Sequence, residues 1–379
     1  MIKEIILHIG YPKTGSTSIQ NFLLSVNGLL ENFEIFSIHP TGKPNPSGNS
    51  QRMLPYEEDL FKIKSFEHWR LSALDKFLKE KLKNNPENRI LISAERFVLA
   101  QKDDIVKFKN YLSQFTESIK VVCYVRRQDE SAVSFFQESL KPGRVMTRLW
   151  GTRDFFPKVE NSEALDYFNY NNTLSYWENV FGLKNVTLRI FSKDSLIKQD
   201  INYDFLEACN INFNLSVEDS IRNFSQKNES LSRLQMLYLM DEKYKYKKFA
   251  FSKIENLLCD KKLKPSLDDA KRFYDKYRYS NSMLFQRHGI LKEFSDDFNS
   301  YPLLSDEPSL YEKDRLAIFD RYVLTEIRKN RINNDILDLL EELPLALVIK
   351  YKKVIDLVTL SNPRNVRAQT LLNKVNSKK

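Results

Sequence analysis

Length and composition allow a large folded core and exclude a membrane-spanning helix. The chain has 379 residues, of which 42% are hydrophobic, and this suits one large domain or one domain with a smaller attachment. No stretch approaches the roughly 20 uncharged residues that a transmembrane helix needs. The net charge of +9 and the pI near 9.1 indicate an anionic partner, but they do not choose among nucleic acid, nucleotide, anionic glycan and membrane surface.

The cysteines and the first residues predict a reducing compartment. Cys123, Cys209 and Cys259 are widely spaced and form no Cys-x-x-Cys pair, which favours reduced thiols over a disulfide framework. The apolar run in the first ten residues is too short for the core of an export signal. We therefore expect a cytoplasmic protein.

Short apolar runs alternate with segments of helical periodicity up to about residue 212. This alternation predicts an α/β fold with a parallel sheet and helices on both of its faces. In chain order we predict strands at 3–9, 88–95, 119–127 and 186–192, helices at about 19–30, 68–83, 103–115, 129–140, 173–182 and 203–211, and loops at 39–52 and 141–172.

Beyond residue 212 the strand-like runs nearly vanish and helical periodicity dominates. We therefore predict two domains, an α/β core at 1–212 and a mainly helical region at 213–379 that completes the site and mediates association. The segment 343–360 combines a dense apolar face with three lysines. Either it docks on anionic lipid at the inner membrane face, or it is a C-terminal helix that packs on the body.

The segment "GYPKTGST" (10–17), here called the glycine loop, predicts an anion-binding site. It lies between a predicted strand and a predicted helix, an arrangement that points free backbone N–H groups at an anion. An ATP-binding loop would have lysine where this chain has Ser16, and the lysine here is Lys13, inside the loop. That position suits a donor with a single 5′-linked anhydride better than a triphosphate. The alternative is an ordinary strand–turn–helix corner with incidental glycines.

A second anion-binding signal follows the third predicted strand, in "VCYVRRQDESAVSFFQ" (122–137). Arg126 ends the strand and Ser134 follows eight residues later, so a cation and a hydroxyl lie near one rim of the sheet, where both can bind a phosphate. By itself this signal is weak, because an arginine at a strand end is often part of a surface salt bridge.

Together the two segments resemble the sulfotransferase family. "YPKTGSTS" resembles the family's 5′-phosphosulfate loop, and "YVRRQDESAVSFF" resembles its 3′-phosphate motif. The resemblance covers about the first 140 residues and is nearest to the bacterial and Golgi carbohydrate-modifying branch. It implies a P-loop-like fold around the parallel sheet, 3′-phosphoadenosine-5′-phosphosulfate as donor, no metal, and a glycan or glycolipid as acceptor.

The resemblance also assigns roles to single residues. Lys13, beside Pro12, would stabilise the leaving bridging oxygen. Arg126 and Ser134 would bind the 3′-phosphate. The 5′-phosphate and sulfonate would be bound by backbone amides and hydroxyl groups of Thr14, Gly15, Ser16, Thr17 and Ser18. For the adenine side we have only Arg278 and Arg287 as guesses.

Two residues are candidates for the base that takes the acceptor proton. Glu95 comes directly after the second buried strand, where carbohydrate-directed family members often have a glutamate and where parallel strands end at the ligand crevice. The alternative is that Glu95 pairs with Arg96 or another surface cation. His39, in a loop rich in Pro and Gly, is the second candidate, although a lone loop histidine is more often merely solvated.

Aromatic residues gather in the long excursion before the fourth strand. They can stack on sugar rings or form a minor hydrophobic cluster beneath a loop, and the sequence does not separate the two. They are Trp150, Phe155, Phe156, Tyr167, Phe168 and Tyr170.

Two other functional classes stay open. The same fold can transfer a glycosyl or phosphoryl group from another nucleotide donor, although no Asp-x-Asp motif supports a metal-dependent glycosyltransferase. A non-catalytic polyanion-binding protein is supported by the positive charge alone. Basic residues are spread along the chain and no nucleic-acid motif occurs, so we expect no nucleic-acid partner. The sequence leaves the oligomeric state open.

Overall fold

The computed structural model describes residues 1–55, 63–139, 155–158, 162–224, 263–304, 337, 340–341 and 345–377. They form two compact units, which are described separately. The first contains the described residues up to 304 apart from Leu263, and the second contains Leu263 and those from 337 onward. The predicted division into 1–212 and 213–379 stays a prediction, and the compact units differ from it because residues 264–304 group with the first unit.

Five parallel strands form the sheet of the first unit, in the order β2-β3-β1-β4-β5. The predicted parallel α/β fold is therefore confirmed, and all four predicted strands are present. The sequence analysis missed the remaining strand, β2, because it has only three residues. The strands are β1 (Glu4–His8), β2 (Phe33–Ile35), β3 (Arg89–Ser93), β4 (Ile119–Val125) and β5 (Val186–Ile190).

Helices cover both faces of the sheet, as expected for parallel strands joined by crossovers. Ten α-helices lie in the described part of the first unit. They are α1 (Ser16–Ser25), α2 (Ser72–Asn84), α3 (Lys102–Leu112), α4 (Gln128–Ser139), α5 (Ser162–Tyr167), α6 (Tyr170–Phe181), α7 (Ile201–Ala208), α8 (Leu215–Asn223), α9 (Leu267–Asp275) and α10 (Arg278–Arg287).

Alternate residues of the strands point to opposite faces of the sheet and pack in two different cores. Ile6, Leu91 and Val122 point to the face that α1, α7 and α8 cover, where they pack with residues such as Phe22 and Phe205. The other face is covered by α3 and α6 and carries an aromatic layer. In that layer the Phe97 ring lies 5.2 Å from Phe108 and 6.3 Å from Trp177, measured between ring centroids. Both faces of the sheet are therefore covered by helices.

A buried ion pair joins the end of β4 to the segment that follows α10. The Arg127 guanidinium donates to both carboxylate oxygens of Asp129, at 2.8 and 2.9 Å. It also donates to the backbone carbonyls of Ser295 and Asp297, each at 2.7 Å. Tyr301 donates its hydroxyl proton to Asp129 at 2.7 Å. Residues 295–301 are thus fastened across the start of α4.

The described part of the second unit is helical, which agrees with the predicted helical C-terminal region. It contains α11 (Leu345–Val348), α12 (Lys352–Ser361) and α13 (Val366–Asn376). Ile355 and Val358 of α12 pack with Leu371 and Val375 of α13 in a separate core. The apolar face of the predicted C-terminal helix therefore packs within its own unit, and the alternative of docking on lipid stays a prediction.

We expect Asp129→Asn to destabilise the first unit by about 3–5 kcal/mol, because it removes the buried counter-ion of Arg127 and leaves only the partly exposed Glu130 carboxylate, 3.5 Å away. The Arg127 side chain is only 5% exposed and that of Asp129 is 0% exposed. Urea unfolding at neutral pH measures the difference.

The matched control is Asp75→Asn, which breaks an ion pair with Lys79 whose side chains are 35% and 67% exposed. Its expected cost is at most about 1 kcal/mol. Equal losses in the two variants would contradict the role given to the buried pair.

Candidate functional site

The glycine loop has the backbone geometry of an anion-binding turn. Gly15 is in the left-handed conformation, with φ 84° and ψ 6°, and it is the N-cap of α1. The first turn of α1 therefore follows directly from the loop, with its N–H groups directed toward the loop and the positive end of the helix dipole behind them. Lys13 also has a positive φ, 69°, which is uncommon for a residue with a Cβ atom. Such strain often marks a functional position.

Two positions of the loop have no room for a side chain. A Cβ atom on Gly15 would lie 2.8 Å from Phe191 and 3.0 Å from Ile201. A Cβ atom on Gly10 would lie 2.8 Å from Nε2 of His8 and 3.2 Å from the hydroxyl oxygen of Ser16. Both positions are therefore restricted to glycine by their neighbours.

A buried polar cluster lies directly beneath the loop. His8 ends β1 opposite Ser93, which ends β3, and its Nδ1 lies 2.9 Å from the Ser93 hydroxyl oxygen. Gln20 of α1 donates its side-chain N–H to the same oxygen at 2.8 Å. Burial lowers the pKa of His8 to about 3, so the ring is neutral. Sequence reasoning missed this cluster, although a histidine within a predicted buried strand is itself a signal.

Arg126 lies beside the loop, across one aromatic ring. Its guanidinium carbon is 5.8 Å from the centroid of the Phe191 ring, and the same ring packs against Gly15. Phe191 follows β5 directly and its N–H donates to the Val125 carbonyl at 2.7 Å. The structure therefore brings the two predicted anion-binding segments together at the carboxyl-terminal end of the sheet, where Phe191 contacts both.

The Arg126 side chain is held by Glu130 of the following helix, α4, but is not buried. Its Nε donates to Glu130 at 3.0 Å, and the two side chains are 28% and 36% exposed. Ser134 is half-buried one helical turn further along α4. The salt bridge that sequence reasoning weighed as an alternative is present, and it leaves part of the guanidinium open to solvent.

A second buried ion pair stabilises the connection between β5 and α7, whose residues Phe191 and Ile201 pack against Gly15. Asp204 of α7 accepts from the Tyr124 hydroxyl at 2.6 Å and from Arg189 at 2.9 Å. It also accepts from the N–H of Ile197 at 3.0 Å, in the connection between β5 and α7. This network fixes the connection that carries Phe191.

Glu95 also lies at the carboxyl-terminal end of the sheet. It follows β3, which pairs with β1 on the side opposite to β4. It opens the short 3-10 helix Glu95–Leu99, directly after β3, and it is half-buried. The pKa of Tyr167 is raised, chiefly by burial, and Glu95 raises it further while Arg96 lowers it. Both charges therefore lie near the Tyr167 ring, whose centroid is 5.3 Å from that of Tyr11 in the glycine loop.

His39 lies in the loop that follows the edge strand β2. Its Nδ1 lies 2.7 Å from the hydroxyl oxygen of Thr41, and its Nε2 lies 3.2 Å from a guanidinium nitrogen of Arg52. Both ring nitrogens are thus engaged by neighbours within residues 39–52. β3 separates β2 from β1, whereas Glu95 follows β3 itself, so His39 is the weaker candidate base.

The other predicted donor-binding residues all belong to the turn or to the first turn of α1. Pro12, Lys13 and Gly15 are half-buried, Thr14, Ser16 and Ser18 are buried, and Thr17 is exposed.

The aromatic residues of the excursion form a hydrophobic cluster, the second of the two alternatives. Tyr167, Phe168 and Tyr170 are at most 7% exposed. Phe156 stacks on Phe273 of α9 with ring centroids 4.6 Å apart, and Phe155 packs on Phe136. Their faces are covered by protein rings and are not open for sugar stacking. Trp150 lies outside the described residues.

The two arginines guessed for the adenine side are paired with carboxylates. Arg278 contacts Asp275 and Asp296, and Arg287 contacts Glu178. Within the described ranges, no group of three or more His, Cys, Asp and Glu side chains could hold a metal ion. Among the described helices, none is long and apolar enough to cross a membrane.

Comparison with known proteins gives only distant similarity. No protein-family model matches the chain. An uncharacterized protein of Archaeoglobus fulgidus is 24% identical over 234 residues, which are 59% of this chain and 58% of that protein, so the chain spans less than two thirds of its length. A crystal structure of a mouse sulfotransferase complexed with PAP is 17% identical, with a TM-score of 0.29, over 60% of this chain and 68% of that chain. These values assign neither a family nor a function to this chain.

We expect the buried His8 to make the folded protein less stable in mild acid. Between about pH 3 and 6.5 the unfolded chain holds a proton on this ring that the folded protein lacks, so stability rises with pH by up to about 1.4 kcal/mol per unit. His8→Gln removes this contribution. The difference in unfolding free energy between the wild type and His8→Gln should therefore shrink from about pH 6.5 to 4.5.

His68→Gln, at an exposed ring, controls for the loss of one histidine from the chain. Urea unfolding at several pH values measures all three proteins. If His8→Gln and the wild type gave parallel stability curves, His8 would not be a neutral ring in the folded protein.

Proposed function

We propose that this protein is a sulfotransferase that moves a sulfuryl group from 3′-phosphoadenosine-5′-phosphosulfate to a hydroxyl group of a glycan or glycolipid. The observation that supports it most is the position of Arg126 beside Gly15, with only the Phe191 ring between them. A nucleoside with phosphates on both its 3′ and 5′ positions presents two anionic groups, and this edge of the sheet offers one site for each.

The glycine loop would bind the 5′-phosphosulfate. The N–H groups at the start of α1 supply hydrogen bonds and the helix dipole supplies positive potential, without any metal. Lys13 supplies the one full positive charge within the turn. Its ammonium group stabilises negative charge on the bridging oxygen as the sulfuryl group leaves, and this is the transition-state charge that matters most.

Arg126 would bind the 3′-phosphate together with Ser134. A guanidinium forms paired hydrogen bonds with phosphate, and the solvent-accessible part of this side chain can do so. The Tyr170 hydroxyl donates to the backbone carbonyl of Arg126 at 2.8 Å, which holds the residue at the strand end. Glu130 competes for the same guanidinium when no nucleotide is bound.

Glu95 would act as the base. The acceptor oxygen attacks sulfur in line with the leaving group, the bond between sulfur and the bridging oxygen breaks, and the acceptor proton passes to the Glu95 carboxylate. The products are a sulfate ester and adenosine 3′,5′-bisphosphate. Glu95 and the glycine loop follow the neighbouring strands β3 and β1 at the same edge, which is where this reaction needs them.

The acceptor class rests on the motif resemblance, and the location rests on the cysteine pattern and the basic segment 343–360. We propose action in the cytoplasm at the inner membrane face, where the basic C-terminal segment would contact anionic lipid. Cys123 and Cys209 are buried free thiols, in keeping with a reducing compartment. The acceptor itself would reach the sheet edge next to Glu95.

Nucleotide binding and transfer test the proposal. We expect adenosine 3′,5′-bisphosphate to bind at least about ten times more tightly than ATP, CDP or UDP-sugars by calorimetry, because only it has both phosphates. We also expect label from the sulfonate donor to appear in one member of a panel of polysaccharides and lipid-linked sugars. In Lys13→Ala transfer should be lost while the fold is kept, because Ala and Lys carry the same Cβ atom and hence the same backbone strain.

Lys43→Ala, at an exposed lysine of the loop 39–52, is the control and should transfer normally. Normal transfer by Lys13→Ala would exclude the leaving-group role. Preference for ATP or a UDP-sugar would point to another transferase chemistry, and salt-dependent DNA or RNA binding without nucleotide dependence would point to a polyanion-binding protein.

Glu95→Gln should slow the chemical step by about 10²-fold or more, because the amide keeps the shape but cannot take a proton at pH 7. Single-turnover transfer measures this step separately from product release. Glu117→Gln, at the opposite end of the strands just before β4, is the control and should leave the rate unchanged. An unchanged rate in Glu95→Gln would exclude Glu95 as the base.

A further inference from the structure

The polar cluster beneath the glycine loop has two unsatisfied atoms. His8 Nε2 and the Ser16 hydroxyl oxygen are buried and have no hydrogen-bond partner within the described part of the chain. Leaving a buried polar group unpaired costs about 1–3 kcal/mol, so such groups are rare in folded proteins. Here two occur at one place, on the floor of a predicted anion site.

The hydrogen bonds of the cluster have a definite direction. The Gln20 side-chain nitrogen can only donate, so the Ser93 oxygen accepts from it at 2.8 Å. The Ser93 proton then goes to His8 Nδ1, the other polar atom in contact with this hydroxyl in the described chain, at 2.9 Å. A neutral ring that accepts at Nδ1 carries its proton on Nε2. His8 therefore presents an N–H donor to the loop.

This donor and the Ser16 hydroxyl converge on Gly10. Nε2 lies 2.8 Å, and the Ser16 oxygen 3.2 Å, from the single point that a Cβ atom on Gly10 would occupy. Ser16 is the first residue of α1 and is only 1% exposed. The Ser16 hydroxyl, at the start of α1, and the imidazole N–H of His8 thus both lie next to Gly10, which has no side chain to separate them.

We propose that His8 is a positioning residue for the bound anion and that it acts through Ser16. When an anion occupies the glycine loop, His8 Nε2–H donates to the Ser16 oxygen, and the Ser16 O–H donates to an oxygen of the anion. The chain of hydrogen bonds then runs from Gln20 through Ser93, His8 and Ser16 to the ligand, and every donor has one acceptor. The identity of the anion as a 5′-phosphosulfate rests on the proposed function.

The arrangement explains why the ring is buried and neutral. A charged imidazolium would donate at both nitrogens and would leave the Ser93 proton without an acceptor. The neutral ring instead accepts at Nδ1 and donates at Nε2, so all hydrogen bonds from Gln20 to the loop run in one direction. Hydrogen bonds in such a chain polarise one another. No proton is transferred along it. Its effect is to orient the Ser16 hydroxyl toward the bound anion.

Nitrogen NMR of the full chain with ¹⁵N-labelled histidine tests the first half of the inference. His8 is identified by the signal that disappears in His8→Asn. We expect a neutral ring with its proton on Nε2 at pH 7, and a shift of that proton when inorganic sulfate or adenosine 3′,5′-bisphosphate is titrated in. A proton on Nδ1, or no shift with either anion, would overturn the inference.

Binding to variants tests the second half. His8→Asn keeps an amide near Nδ1 but removes the distal donor, whereas His8→Gln keeps a donor near Nε2. We expect His8→Asn and Ser16→Ala each to weaken binding of adenosine 3′,5′-bisphosphate about 10-fold, His8→Gln to restore most of it, and the double variant His8→Asn/Ser16→Ala to lose no more than either single variant. Additive losses, or equal losses in His8→Asn and His8→Gln, would indicate a structural role only.

The two proposals can fail separately. If the wild type binds sulfate with a shift of the His8 signal but does not bind the nucleotide, the sulfotransferase assignment fails and the role of His8 stands. If the nucleotide binds equally to the wild type, His8→Asn and Ser16→Ala, the role of His8 fails and the assignment stands. Ser16→Ala removes a single hydroxyl, so it keeps the test valid if the His8 variants do not fold.

Discussion

The contact of Phe191 and Ile201 with Gly15 is the constraint on which the site depends. Because a side chain at this position would overlap both neighbours, the chain can make the left-handed turn and bring the β5–α7 corner down onto α1 only with glycine there. The Arg126 guanidinium lies over the same Phe191 ring, with its carbon 5.8 Å from the ring centroid. Phe191 therefore contacts both of the predicted anion-binding segments.

Around that contact, buried charges hold the strand ends in place. Asp204 ties the β5–α7 connection to β4 and β5 through Tyr124 and Arg189. Asp129 fastens the segment after α10 to the start of α4 through Arg127. Each carboxylate accepts several hydrogen bonds, which offsets the cost of its burial. Several buried hydrogen bonds thus hold the carboxyl-terminal end of the sheet, where ligands are expected.

Polar groups beneath the loop contrast with the apolar core on which they lie. The His8 ring packs against Phe205 and Tyr124 in edge-on contacts, yet its two nitrogens face Ser93 and the loop. A folded chain keeps unsatisfied polar atoms in such a place only where another requirement outweighs their cost, and functional sites are where this happens most. This is why the cluster, and not the half-buried Lys13 alone, distinguishes the turn from an ordinary strand–helix corner.

The sequence by itself determined the class of the fold and the position of the glycine turn before α1, because both depend on local pattern. Apolar runs of strand length and a glycine turn before a helix are readable without neighbours, and they located β1, β3, β4, β5 and α1. It did not locate the short strand β2, and it left the excursion aromatics and the base undecided. Only the tertiary structure decided that Phe168 and Tyr170 are covered by other rings, that His39 contacts Thr41 and Arg52, and that His8, Gln20 and Ser93 meet under the loop. These outcomes depend on which strands pair and on what the crossovers bring together, and separations of more than 70 residues leave no trace in local periodicity.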